Sequence, residues 1–113
     1  MTDQELLELA AKAAGIEIQG FCIDEDDVLL YCDIAASPGS IIKWNPLQND
    51  GDAFRLFVDL RLSVSVYLGI SRAVSARIGK PFDESLGEDA RAATRRAIVK
   101  AAAEVGRNIN VRS

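Results

Sequence analysis

The chain has 113 residues, 49% of them apolar and 27% charged, which is enough to bury one core without disulfides or a structural metal. Its net charge of −4 is uneven, with nine acids and one lysine in residues 1–33 against six bases and one acid in residues 90–113. This balance excludes the basic footprint of non-specific nucleic-acid binding, and no apolar run approaches the ~18 residues of a membrane-spanning helix. The acidic opening MTDQELLEL lacks the basic-then-apolar order of a secretory signal, so the reading is a single domain, 1–113, in the cytoplasm.

Thr2 and Glu5 have the spacing of a capping box, and Leu6, Leu7, Leu9, Ala10, Ala13 and Ala14 form the apolar face of a helix from Asp3 to Ala14. Gly15 supplies the left-handed position that ends it. A strand follows over 16–24, with a parity switch at Gly20 that predicts a bulge. Asp24, Glu25, Asp26 and Asp27 form an acidic turn, and 28–35 is the second strand. A hairpin centred near Asp27 pairs residues whose numbers sum to about 54, which sets Cys22 against Cys32 as two reduced core thiols. Ala36–Gly39 is loop.

The stretch Trp44–Leu62 is the predicted centre of the fold. Asn45-Pro46 marks a turn, and Asn49 or Asp50 caps a helix whose first turn holds Asp52. Phe54 and Phe57 are its expected core side chains, each worth about 3–5 kcal/mol if fully buried. Strict alternation then gives strands over 63–68 and 72–78, the latter burying Val74, Ala76 and Ile78. Lys80–Gly87 reads as a loop. A last helix runs from Glu88 to Val105, buries Thr94, Ala97, Ile98, Ala101 and Val105, and stops at Gly106. The order α-β-β-α-β-β-α gives an α+β domain with a four-stranded, mainly antiparallel sheet and helices packed on it.

The segments ELLELAAKAAGIE, WNPLQNDGDAFRLFVDLRLSV and ATRRAIVKAAAEVGR lie in that order over about half the chain. Together they resemble a group of small phage and prophage proteins related to the phage ABA-sandwich domain, the Trp-Asn-Pro-Leu run into Asp-Gly-Asp-Ala being the most specific part. The resemblance implies an α/β/α layered fold and a phage or prophage origin. It implies no catalytic residues.

The residues themselves supply little catalytic chemistry. There is no histidine, and no phosphate-binding glycine loop or nucleophile elbow. Asn49-Asp50-Gly51-Asp52 lacks the later ligands of a calcium loop and reads as cap and turn. No metal site and no cofactor is expected. Two charged clusters remain as candidate partner-binding surfaces: the acidic turn Asp24, Glu25, Asp26 and Asp27, and the basic helix face Arg91, Arg95, Arg96 and Lys100. The bland reading of each is a solvated charged face.

The expected function is therefore non-enzymatic. It is a phage accessory protein that binds a host or phage protein, most sharply as an anti-CRISPR-like inhibitor of a nucleic-acid-binding defence complex. A small-ligand binder or enzyme using the acidic loops and the basic helix is the second reading. A homodimer held by the exposed side of 63–78 is the third.

Overall fold

The computed structural model describes residues 2–16, 18–24, 27–33, 41–75 and 78–111, with side-chain environments for 2–16, 44–75 and 78–109. The elements are α1 (Asp3–Ala14), β1 (Ile18–Asp24), β2 (Asp27–Asp33), β3 (Ile41–Trp44), α2 (Asp50–Asp59), β4 (Leu62–Val66), β5 (Ile70–Ser75), β6 (Pro81–Ser85) and α3 (Ala90–Val111). The α+β class holds, and every strand pairing described is antiparallel. The expected single four-stranded sheet is replaced by two three-stranded meanders, β1-β2-β3 and β4-β5-β6, each following a helix. The two added strands were obscured by local chemistry. Pro81 interrupts the strand signal, yet proline is tolerated as the first residue of an edge strand. β3 is only four residues long and opens next to a stretch outside the described residues.

Local signals act as expected at the helix ends. Thr2 Oγ1 accepts from the Glu5 N–H at 3.1 Å, and Gly15 closes α1 at φ 73°. Asn49 caps α2, its side chain accepting the Asp52 N–H at 2.9 Å. Register shifts between Ile18 and Gly20, in line with a bulge there. The β1–β2 register itself differs from the expectation. Asp24 pairs with Asp27, so Cys22 faces Leu29 and Cys32 faces Ile18. A three-residue stagger separates the two cysteines by roughly 10 Å along the strands, beyond disulfide reach. The Asp24–Asp27 pairing sets this register, and residues 25–26 lie outside the described ones.

The hub is α3, not the Trp44–Leu62 stretch. α1 packs along it on one side, β5 and β6 on another, and α2 against its first half. Its buried residues are therefore not one stripe: Ala97, Ile98, Val99, Ala101, Ala102, Ala103 and Val105 are all buried. Small side chains allow that crowding. Gly106 does not end the helix. It has no positive φ, and α3 continues to Val111.

The face of β5 that meets α3 also has the opposite parity to the expected one. Ser71, Ala73 and Ser75 are buried, whereas Val74 is half-buried on the far side. The register puts Leu62, Val64 and Val66 of β4 and Phe82 and Glu84 of β6 on that same inner face. Small side chains at the centre of the sheet let α3 lie close, with larger ones at its margins. Ser71 Oγ is satisfied there by donating to Thr94 Oγ1 at 2.9 Å. Ala76 and Arg77 lie outside the described residues.

Candidate functional site

The turn before α2 is built by Asn45 and Asp52, both buried. Asn45 Oδ1 accepts the Leu47 N–H at 3.1 Å, and the Asn45 N–H donates to Asp52 Oδ2 at 2.9 Å. Asp52 Oδ1 takes Arg55 Nη1 at 2.9 Å. The Asn-Asp-Gly-Asp run is thus cap and turn, and Asp52 is committed to the fold. Among the described residues no group of three His, Cys, Asp or Glu side chains is arranged to hold a metal.

Arg95 of α3 ties this turn to the hub. Its Nε donates to the Leu47 carbonyl at 2.9 Å and its Nη1 meets Asp50 at 2.6 Å. The N-terminal end of α2 is thereby held beside the first turns of α3, while the chain leaves α2 through Arg61 at φ 52° to enter β4. Between α2, β4 and α3 lies an open groove of about 380 Å³. Phe54, Phe57, Val64, Val66 and Ile98 line it, and Arg91 and Arg95 stand on its α3 side.

Phe54, an expected core side chain, lies on the surface instead. It is 61% exposed, against 2% for Leu56. Ala53 and Leu56 form the buried stripe of α2, with Phe57 packed beside it. Phe54 and Val58 fall on the flank. Phe54 meets Phe57 edge-to-face with centroids 6.0 Å apart. Val66, Tyr67 and Leu68 carry the apolar surface on to the β4–β5 turn, all of them exposed. A signal for this was present: apolar residues at 53, 54, 56, 57 and 58 of the ten-residue helix, with Leu60 at its C-cap, spread over more than one buried face.

The basic face of α3 is divided by the structure. Arg96 bonds Asp3 of α1 at 3.0 Å and Glu84 of β6 at 3.1 Å, and Lys100 meets the same Glu84 oxygen at 3.1 Å. Arg95 is engaged as above. These three join α3 to its neighbours, and the Arg96–Asp3 pair bridges the acidic and basic ends of the chain. Arg91 alone of the four is exposed and forms no ion pair among the described residues. Arg91 and Arg95 are brought together at the groove, and Arg96 and Lys100 are not. In the acidic turn, Asp24 and Asp27 pair at the tip of the β1–β2 hairpin. Glu25 and Asp26 lie outside the described residues.

A second recess of about 390 Å³ lies where Leu47, Glu84, Leu86 and Arg96 meet. Glu84 and Arg96 are paired with each other there. The groove, by contrast, offers apolar surface with Arg91, which forms no ion pair among the described residues, at its margin. It can hold apolar side chains next to a carboxylate. Its one hydroxyl, Thr94 Oγ1, is committed to Ala90 O at 2.8 Å and to Ser71. No described helix is long and apolar enough to cross a membrane. Comparison with protein-family models, curated proteins and solved structures finds no match for the chain.

Proposed function

We propose that the protein is a small phage or prophage accessory protein that acts by binding another protein rather than by catalysis. The observation that carries the binding reading is the exposure of Phe54 and Val66, which line the groove, with Val58 exposed one helical turn from Phe54. Large apolar side chains grouped on a surface mark interaction sites, whereas scattered ones do not. The phage setting, and with it an ABA-sandwich kinship, rests on the resemblance carried by residues 5–17, 44–64 and 93–107. Inhibition of a bacterial defence complex, in the anti-CRISPR manner, is the sharpest form of the proposal. The acidic tip Asp24–Asp27 adds long-range attraction toward a basic partner.

The test is a pull-down from bacterial lysate with the native chain and with a Phe54→Ser/Val66→Ser variant, paired with a phage-survival assay. A partner retained by the native chain and lost by a folded variant supports the reading. Equal capture by both, or no capture together with no protection of phage, contradicts it. A small-ligand site is the second reading, favoured by the placing of Arg91 beside an apolar groove. A thermal-shift series with amphipathic carboxylates separates it from the first.

A further inference from the structure

The outer edge of β4 has the properties of an open docking strand. The Tyr67 N–H donates to the Ile70 carbonyl at 2.8 Å, which marks 67 and 70 as a hydrogen-bonded pair. Alternation along an antiparallel ladder then makes 65/72 and 63/74 bonded pairs, while Val64, opposite Ala73, and Val66, opposite Ser71, are non-bonded. The main-chain N–H and C=O groups of Val64 and Val66 therefore point away from β5. No hydrogen bond joins them to another part of the chain among the described residues.

Edge strands are ordinarily protected by charges, proline or a covering element. Leu62–Leu68 reads LSVSVYL, with no charge and no proline. The inward side chains of Val64 and Val66 form one wall of the groove, facing Phe54 and Ile98. A strand added beside β4 would place every second side chain on that same face, over the groove. The Ser71–Thr94 bond fixes the first turn of α3 near the Val66 end, because Ser71 is the partner of Val66. Arg91 stands at that end and forms no ion pair among the described residues, the Asp50 carboxylate of the same groove being paired with Arg95.

We infer that β4 takes up an extended segment of the partner protein, with alternating apolar side chains in the groove and a carboxylate at the Val66 end facing Arg91. This deepens the protein-binding reading and rests on it. A second copy of the chain fits less well. Antiparallel pairing of two β4 strands about Val64 would set the copy's Leu62 opposite Val66 and its Arg61 opposite Tyr67, and the uncharged LSVSVYL run brings no carboxylate to Arg91.

The experiment titrates the whole protein with a blocked synthetic peptide of alternating valine and threonine carrying a terminal aspartate. Controls replace the aspartate with lysine or methylate alternate backbone amides. The expected result is saturable binding of the aspartate peptide, weakened about fivefold by the lysine exchange and abolished by N-methylation in one of the two alternating phases. Arg91→Glu should reverse the charge preference. Absence of saturable binding at ~1 mM peptide, or equal binding of both N-methylated phases, overturns strand addition. In either case, loss of the lysate partner in the Phe54→Ser/Val66→Ser variant would leave the protein-binding reading standing. A dimer seen by sedimentation and removed by Val66→Lys would assign the edge to a second copy and overturn the proposal.

Discussion

Gly106 of α3 lies directly against the main chain of Leu9 in α1. A Cβ at Gly106 would stand 2.8 Å from the Leu9 carbonyl carbon and closer still to its oxygen. The obstacle is backbone, not the end of a flexible side chain, so the two helices would have to separate. Gly106→Ala should therefore destabilise by about 1–3 kcal/mol through overpacking, despite the ~1 kcal/mol that alanine gains over glycine inside a helix. Urea unfolding measures this, and an alanine variant as stable as the native chain would mean that α1 and α3 do not approach so closely.

Phe54 and Leu56 differ by two positions and should differ in kind. Leu56→Ala removes a side chain that is 2% exposed and should cost about 2–5 kcal/mol. Phe54→Ala gives up mainly one edge-to-face contact and should cost about 1 kcal/mol or less. Its effect should appear in partner capture instead. Comparing the two unfolding midpoints decides this, and a large loss of stability in Phe54→Ala would return Phe54 to the core.

Asp52→Ala should cost about 1–3 kcal/mol, because it leaves the buried Asn45 N–H without its acceptor. Asn49→Ala should cost about 1 kcal/mol through the lost cap. Neither change should respond to added calcium. A calcium-dependent rise in the native melting temperature that Asp52→Ala abolishes would restore the metal reading of this turn.

The Arg72–Asp83 pair across β5 and β6 predicts a pH dependence. Arg72 Nε and Nη2 meet the two Asp83 oxygens at 2.6 and 2.9 Å. The hydrogen bond from Arg72 holds the Asp83 carboxyl below the ordinary carboxylate range, and Arg72 is raised in turn. A carboxyl lowered by folding stabilises above its unfolded pKa of about 3.9 and loses that contribution as pH falls through the folded value. The difference in urea midpoint between native and Asp83→Asn should be present at neutral pH and vanish in acid. A difference that grows on acidification would contradict the pairing.

The division between what the sequence disclosed and what it hid is physical. α1, its Thr2 and Gly15 ends, the Asn49 cap and the 62–75 hairpin rest on interactions within a few residues, and local pattern reports them. Gly106 looks like a helix stop until Leu9, nearly a hundred positions away, is placed against it. The inner face of β5 was misassigned because hydropathy favours Val74 over Ser71 and Ser75, whereas close approach of α3 requires small side chains. Of the candidate site, Arg91 and Arg95 were visible as charge. That Arg95, Arg96 and Lys100 are engaged within the fold depends on Asp50, Asp3 and Glu84, which only tertiary structure brings near. Phe54 was hidden by its own hydrophobicity.

If the acidic tip steers the partner, association should slow steeply as salt rises, because exposed charges are screened beyond about 8–10 Å at physiological ionic strength. Changing Glu25, Asp26 and Asp27 to Ser should lower the association rate and leave the dissociation rate nearly unchanged. Stopped-flow or surface-capture kinetics reads both. A variant that instead dissociates faster would place the tip inside the interface.

Amide hydrogen exchange of the native chain, free and bound to the captured partner, addresses the binding face most directly. New protection is expected at the Val64 and Val66 amides and around Phe54, with the β1–β2 hairpin unchanged. Protection confined to residues 24–27, with none over 62–68, would contradict it.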